Sequence, residues 1–556
     1  MKKIAIVALA AAATFITSCD IERMPYDKYT EDKIMEDKDA AVDVLLNGCY
    51  AKLKTASEHL HYCGEFPSDN VCKDKPTTNP FGTYFTYQHT VNNGGLTNVW
   101  NSAYNIISQT SSLMKMINEG ESTELNQKLG EAYYLRGMMY FYLCRVFGRP
   151  YYQEPEKNLG VPIVNGMPDD MDNLDLPDRS SVKQTYEQAL SDLKKAEELM
   201  TTFKSTAYAS KYAAQALLAK VYMYMSGTFE NPDKEYAQLS YDYANTVIES
   251  GQFSMLDRAN FMRYNEFAPD AASQTETIFA VRVVASDWED WGDPLGSMYA
   301  EIDGQGWGEV YASAKYMDLL HETGKNTDAR EAFIHPQYKE DANGDQIPAF
   351  RFVANLYTDG KVSGYVYRQG ETKEVGGKLI ATVDGEEYTL TPVDVDNKRY
   401  SISYKGETYE GDYDYFMLES QGNPKFYSYK CSKQDGYPHL YSPVISRLGE
   451  LYLIRAEASA KLGNYTKALA DLNTVRTRSL PNAGYKSLDA PNAHELILQD
   501  EADRGFDVYR VGDTMKRHYP GFHDGVPEYP ATSPLAIQYI PQSEINAYPG
   551  TLTQNP

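Results

Sequence analysis

The residues best suited to chemistry gather in one stretch, "SDWEDWGDPLGSMYAEIDGQGWGEVY", from Ser286 to Tyr311. It holds three of the chain's four tryptophans, seven carboxylates and five glycines, with no lysine or arginine. Flat indole and phenol rings suit the weakly apolar C–H faces of a sugar ring, while Asp, Asn and Gln suit its hydroxyl edges. Trp288, Trp291, Tyr299 and Trp307 are the candidate face-binding residues, with Asp287, Asp290, Asp303 and Gln305 as polar neighbours. Trp288 and Trp291 are three apart, which also fits one face of a short helix packed on a scaffold, so core and surface readings both stand for them. Trp307, between Gly306 and Gly308, is the first choice for a ligand contact. Trp100 opens the helical pattern "WNSAYNII" and reads as core.

Other chemistries lack their residue patterns. There is no G-x-S-x-G elbow, no H-E-x-x-H and no G-x-x-x-x-G-K-[ST] loop. Nothing singles out a carboxylate pair for glycoside hydrolysis, so no catalytic residue is expected. Gly304, Gly306 and Gly308 alternate outside any strand-to-helix phosphate context, and loop flexibility is the expectation. "EDANGDQ" sets Asp341, Asn343 and Asp345 like the start of a calcium loop but lacks its following glycine and its glutamate at position twelve. A solvated turn is expected there, with a structural calcium as the alternative, and no other cofactor. His59, His61 and Cys63 have no second ligand pair at zinc-site spacing, which leaves them as a loop. Cys63 and Cys72 flank one polar loop and could close a local disulfide in an exported protein. Cys144 lies on an apolar helical stripe and reads as a small core residue.

The elements that must position the aromatic stretch are mostly helical. In "EAYYLRGMMYFYLCRVFGRP", Leu135, Met138, Met139, Tyr142, Leu143 and Val146 form one apolar face, ended by Gly148 and Pro150. "SSVKQTYEQALSDLKKAEEL", "SKYAAQALLAKVYMYM" and "ELYLIRAEASAKLGNYTKALADLNTVRTRS" repeat the device. The last breaks at Gly463-Asn464 with the small-residue spacing of tetratricopeptide hairpins. Hairpin units near 101–147, 183–249 and 447–479 are therefore expected to be separated in sequence and stacked in space. From about 255 to 440 the helical period fades. Around Asp384-Gly385 and Lys405-Gly406, polar and apolar residues alternate as in β-hairpins. The fold class is thus predominantly α, a tetratricopeptide-like helical scaffold (41–254 and 441–520), with an irregular region (255–440) that includes a β-rich insert near 360–415.

Net charge and the N-terminus bound the partners. At −25, or −27 once Lys2 and Lys3 leave with a leader, the chain is a poor ligand for nucleic acid. "MKKIAIVALAAAATFITSCD" has a basic start, then an apolar run too short to span a membrane, as in a secretory leader. Ile16-Thr17-Ser18-Cys19 matches a bacterial lipobox. Cleavage before Cys19 would leave residues 1–18 as signal peptide, Cys19 as the lipid-bearing residue and 19–40 as a tether. An ordinary leader with a chance cysteine is the alternative.

Together the lipobox, "NVWNSAYNIISQTSSLM", "EAYYLRGMMYFYLCRVFGRPYY", "LPDRSSVKQTYEQALSDLKKAEELM" and the closing "YIPQSEINAYPGTLTQNP" resemble the SusD/RagB family. These are the surface glycan-binding lipoproteins of Bacteroidetes, and the likeness covers nearly the whole length. "AHELILQDEADRGFDVYR" departs from the family pattern at Ala493-His494, Ile497-Leu498 and Ala502, which puts that helix's ion pairs in doubt. The resemblance implies a binding protein and not an enzyme. It would sit on the outer membrane beside a SusC-like TonB-dependent transporter and deliver an oligosaccharide to it. RagB-like peptide capture, or a glycosidase, are the alternatives. The resemblance also implies a second binding region near the N-terminal helices, where "CGEFPSDNVCKDKPTTNPFGTYF" offers Asp69, Asn70 and Tyr84.

Overall fold

The computed structural model describes residues 38–73, 81–164, 176–287, 295–420, 422–500, 504–516 and 528–556. The chain divides into units 1–44 and 45–556. In the first, residues 38–44 are helical; apart from these residues, everything described below belongs to the second.

The scaffold helices are α1 (Lys38–Glu65), α2 (Gly94–Met116), α3 (Thr123–Phe147), α4 (Val182–Leu199), α5 (Lys211–Met225), α6 (Lys234–Ile248), α7 (Leu448–Lys461) and α8 (Tyr465–Ser479). Several start on a side chain that satisfies the otherwise unpaired amides of a first turn. Ser122 accepts from the Leu125 amide, Asp233 from those of Glu235 and Tyr236, and Ser181 and Gln184 form a reciprocal capping box. The apolar stripe read from α3 is buried between α2 and α4. α4 comes close because position 137 is glycine: a Cβ there would lie 3.0 Å from the Ala189 carbonyl oxygen. Beside it, Arg136 donates to both carboxylate oxygens of Asp192, at 2.8 and 2.6 Å. The α7–α8 hairpin repeats this pin, with Arg455 donating to Asp471 at 2.8 and 2.7 Å. α7 packs on α6, so the chain leaves the stack near residue 250 and resumes it near 448. The three expected units are thereby joined in space. Trp100 is buried on α2. The doubtful segment keeps a charge cluster, in which Arg510 donates to Glu457 at 2.7 Å through each terminal nitrogen and to Asp507 at 2.6 Å.

The β-rich insert is a seven-stranded antiparallel sheet made of β1 (Pro348–Thr358), β2 (Lys361–Val375), β3 (Lys378–Val383), β4 (Glu386–Thr389), β5 (Thr391–Asp394), β6 (Arg399–Tyr404) and β7 (Glu407–Tyr415). Their order is β4-β3-β2-β1-β7-β6-β5. β4 and β5 lie at opposite edges yet are joined by Leu390 alone, so the sheet has to curl until its edges nearly meet. Phe350, Phe352, Val383, Leu390 and Ile402 fill the inside. Asp384-Gly385 and Lys405-Gly406 both have two positive φ values, as tight two-residue hairpins require. The sheet begins at residue 348, earlier than the alternating pattern indicates, and its first hairpin turns at Asp359-Gly360 with the same φ signature. His321 ties it to the body, bridging Asp412 on β7 at 2.8 Å and Glu331 at 3.0 Å.

Cys63 and Cys72 are not bonded to each other; both are free and buried, as are Cys49, Cys144 and Cys431. Cys63 reaches the Tyr84 hydroxyl and Cys72 the Ala312 carbonyl. The expected disulfide is absent: Cys63 sits on α1 against Tyr84, and Cys72 on the short strand that pairs with Val310–Ala312. Asp341 accepts from the amides of Asn343 and Asp345 at 2.7 and 3.0 Å, a carboxylate closing its own turn. Among the described residues no helix is long and apolar enough to cross a membrane, and no cluster of metal-ligating side chains occurs.

Candidate ligand-binding surface

Trp288, Trp291 and Asp290 lie outside the described residues, as does Cys19. Trp307 lies within them, and its indole is 55% exposed. The backbone beneath it is tightly fixed. Ile302 and Gln305 exchange hydrogen bonds of 2.7 and 3.0 Å across Asp303-Gly304, whose φ values of 54° and 76° make a primed turn. The amides of Trp307 and Gly308 both donate to the Ser297 carbonyl, at 2.7 and 2.9 Å. Gly306 has φ 107°, and a Cβ there would meet the Ala300 carbonyl oxygen at 2.2 Å. One at Gly308 would meet the Tyr427 hydroxyl at 2.7 Å. The alternating glycines therefore serve close approach and left-handed backbone, not the flexibility expected of them. A ring held out from such a backbone is presented to solvent.

A second loop, Tyr427 to Leu440, clamps this one. His439 is buried, and its Nε2 donates to the Gln305 carbonyl at 2.9 Å while Nδ1 faces Ser432 Oγ at 3.3 Å. Burial holds the His439 imidazole below its usual pKa, which favours the neutral tautomer those contacts need. Within the loop Lys433, Asp435 and Gly436 all have positive φ. Its outer face adds aromatic surface: Tyr437 is exposed, and the Tyr429 ring stacks on His335 with centroids 3.7 Å apart. Lys433 lies 4.8 Å from the Tyr429 centroid. The Tyr429 ring packs against the cluster of Ala300 and Ile302, next to the Asp303 turn, and burial and then the Asp303 carboxylate raise its hydroxyl pKa. These residues were missed in the sequence, although "YSYKCSKQDGYPHLY" carries the same aromatic and turn-forming signals.

The N-terminal region comes to the same place. Val71–Lys73 pairs antiparallel with Val310–Ala312, immediately after Trp307. The individual residues expected there are already engaged, however. Asp69 is buried, with its carboxylate on Lys315 and its carbonyl on the Ser313 hydroxyl at 2.6 Å. Lys73 is fully buried on Glu309. Tyr84 is fully buried beside Cys63. Tyr299 is buried, its hydroxyl 2.7 Å from His61 Nε2 and its ring edge-on to Phe66. Asn70 is half-buried, with its carbonyl accepting from the Ser313 amide at 2.8 Å. Asn70 and Tyr299 border a cavity of about 370 Å³. Asp287 is paired with Lys54 at 2.6 Å. The two regions thus meet, and the ring presented outward by their junction is Trp307.

Comparison with known proteins gives a consistent picture. The sequence profile of the SusD family matches residues 275–556, and a profile described as "Starch-binding associating with outer membrane" matches residues 22–223. The curated "SusD-like protein P2" of Formosa agariphila is 26% identical over 516 residues, covering 90% of this chain and 86% of its own. A SusD superfamily protein from Bacteroides thetaiotaomicron has a crystal structure that superposes with a TM-score of 0.67 at 23% identity, covering 93% of this chain and 99% of the other. A SusD-like carbohydrate binding protein from Bacteroides vulgatus gives 0.61 at 15% identity, over 92% and 97%.

Proposed function

The chain belongs to the SusD family, and we propose that it is a non-catalytic receptor that captures a neutral oligosaccharide on the face carrying Trp307. The observation that carries this reading is an indole 55% exposed above a backbone that cannot yield. Association costs less when the binding group is already ordered, and a two-torsion ring on a pinned loop loses little freedom on contact. Trp307, Tyr437 and the Tyr429–His335 pair would cover sugar faces, and Asp303 and Asp435 would accept from hydroxyls. The acidic charge of the chain suits an uncharged ligand better than an anionic one.

Members of this family are described as outer-membrane-associated binding proteins. In our reading, acylation at Cys19 anchors this one, and its glycan is passed to a SusC-like TonB-dependent transporter. Two acyl chains, at about 0.8 kcal/mol per buried methylene, hold a protein on a membrane without any spanning helix. Calorimetric titration with an oligosaccharide panel and a peptide pool tests the receptor. Glycan binding without product release is expected, weakened about tenfold or more in Trp307→Ala. Binding of peptides alone, or turnover of a glycan, would replace the reading by peptide capture or by hydrolysis. Retention of Cys19→Ala in the membrane fraction would remove the anchor.

A further inference from the structure

The cavity of about 370 Å³ lies between α1, α3, α5 and α7 on one side and the irregular region on the other. That volume is within the range of small-molecule sites. Its lining is unlike the rest of the chain. Five cationic side chains face it against two carboxylates, in a protein of net charge −25. Some of these are settled: Lys220 donates to Glu450 at 2.8 Å, and Arg330 is held by Asp328 at 2.6 Å.

Lys430 and Arg447 are not. Neither side chain makes a hydrogen bond or ion pair with another described residue. Lys430 is exposed, and it lines the cavity. Burial first and then the Arg447 charge hold its ammonium below the usual lysine pKa, and the attraction of Glu65, the other carboxylate of the lining, is a smaller influence. Arg447 acts in turn on the Tyr316 and Tyr441 phenols, which also border the cavity. Two like charges face one cavity with Glu65 as the weaker counter-charge, and a bound anion would relieve the repulsion between them. A planar guanidinium fork, an ammonium and phenol hydroxyls make the donor set that recognises several oxygens at once.

We propose that this cavity binds a small oxyanion (a carboxylate, sulfate or phosphate) between Lys430 and Arg447. The ion is either free or carried on a sugar, and its recognition is the same in both cases. This site does not depend on the carbohydrate reading of the Trp307 face.

The test is thermal unfolding of the full chain in Tris-chloride. Sodium sulfate, phosphate, acetate or glucuronate is added at 10 mM, with sodium chloride at matched ionic strength and glucose as controls. An oxyanion raises Tm by roughly 2 °C or more over chloride, since a ligand that binds only the folded state stabilises it. Lys430→Met abolishes that increment and, in chloride alone, leaves Tm unchanged or higher because an uncompensated charge is gone. Lys430→Arg keeps the increment. A shift with glucuronate alone assigns the ion to a sugar, and a shift with the inorganic ions alone assigns it to a free anion. The proposal falls if no probe exceeds chloride, or if a folded Lys430→Met keeps the full shift. Should Lys430→Met fail to fold, Arg447→Met is put through the same comparison.

Discussion

The helical stack and the Trp307 face treat their polar groups in opposite ways. In the stack, buried charges are paired across helices: Arg136 grips Asp192 and Arg455 grips Asp471, each through two parallel hydrogen bonds. On the Trp307 face, side chains are held outward, and the backbone adopts left-handed conformations at Asp303, Lys433 and Asp435. Each such residue costs on the order of 1–3 kcal/mol, so surrounding structure has to hold it there. Rigidity in the first region arises from pairing between helices, and in the second from a pinned backbone that frees the ring above it.

The largest effect should fall on the stack. Arg136→Ala strands the Asp192 carboxylate, whose pKa burial already raises, and should cost about 3–5 kcal/mol in urea unfolding. Arg136→Met combined with Asp192→Leu should recover most of that loss. If the single variant cost under 1 kcal/mol, the contrast between the regions would collapse.

His321 supplies the next effect, on the order of 3 kcal/mol. Burial alone would lower its pKa, but the hydrogen bonds it donates to Asp412 and Glu331 outweigh this and raise it to about 9. A folded pKa above the unfolded 6.5 means stability that is complete below about pH 6.5 and lost as pH rises through about 9. Relative to His321→Gln, the wild-type advantage in Tm should vanish between those limits; an advantage constant with pH would contradict the assignment.

Gly306→Ala should cost about 1–3 kcal/mol through positive φ and the collision with the Ala300 carbonyl. It should also weaken glycan binding, although it removes no contact atom. Trp307→Ala is the smallest in stability, within about 0.5 kcal/mol, while its affinity loss is large. A Trp307→Ala protein that melts early would place the indole with the core.

The same contrast explains what was legible in the sequence. Leu135, Met138, Met139 and Leu143 repeat at helical spacing, so α3 and its neighbours can be read locally. Asp384-Gly385 and Lys405-Gly406 mark two hairpins, and Asp359-Gly360 carried the same mark unread. The surface was legible only as a region. Burial of Asp69 and Tyr299 depends on partners far along the chain, Lys315 and His61, the second lying 238 positions from Tyr299. Nothing near Tyr299 in sequence marks it as buried. Glycine spacing did mark Trp307, for a physical reason that became clear only in three dimensions.

The curled sheet has one more consequence. Its first residue pairs with its last, Pro348 opposite Tyr415, and Cα atoms of paired strands lie about 4.5–5.5 Å apart. The chain therefore departs from the body and rejoins it at a single doorway, after a detour with its own apolar filling. Closing so narrow a gap with a short linker costs little chain entropy. The insert thus enters and leaves the body at one point, and its remaining ties are side-chain contacts such as His321 with Asp412 and Tyr367 with Met317 and Leu320.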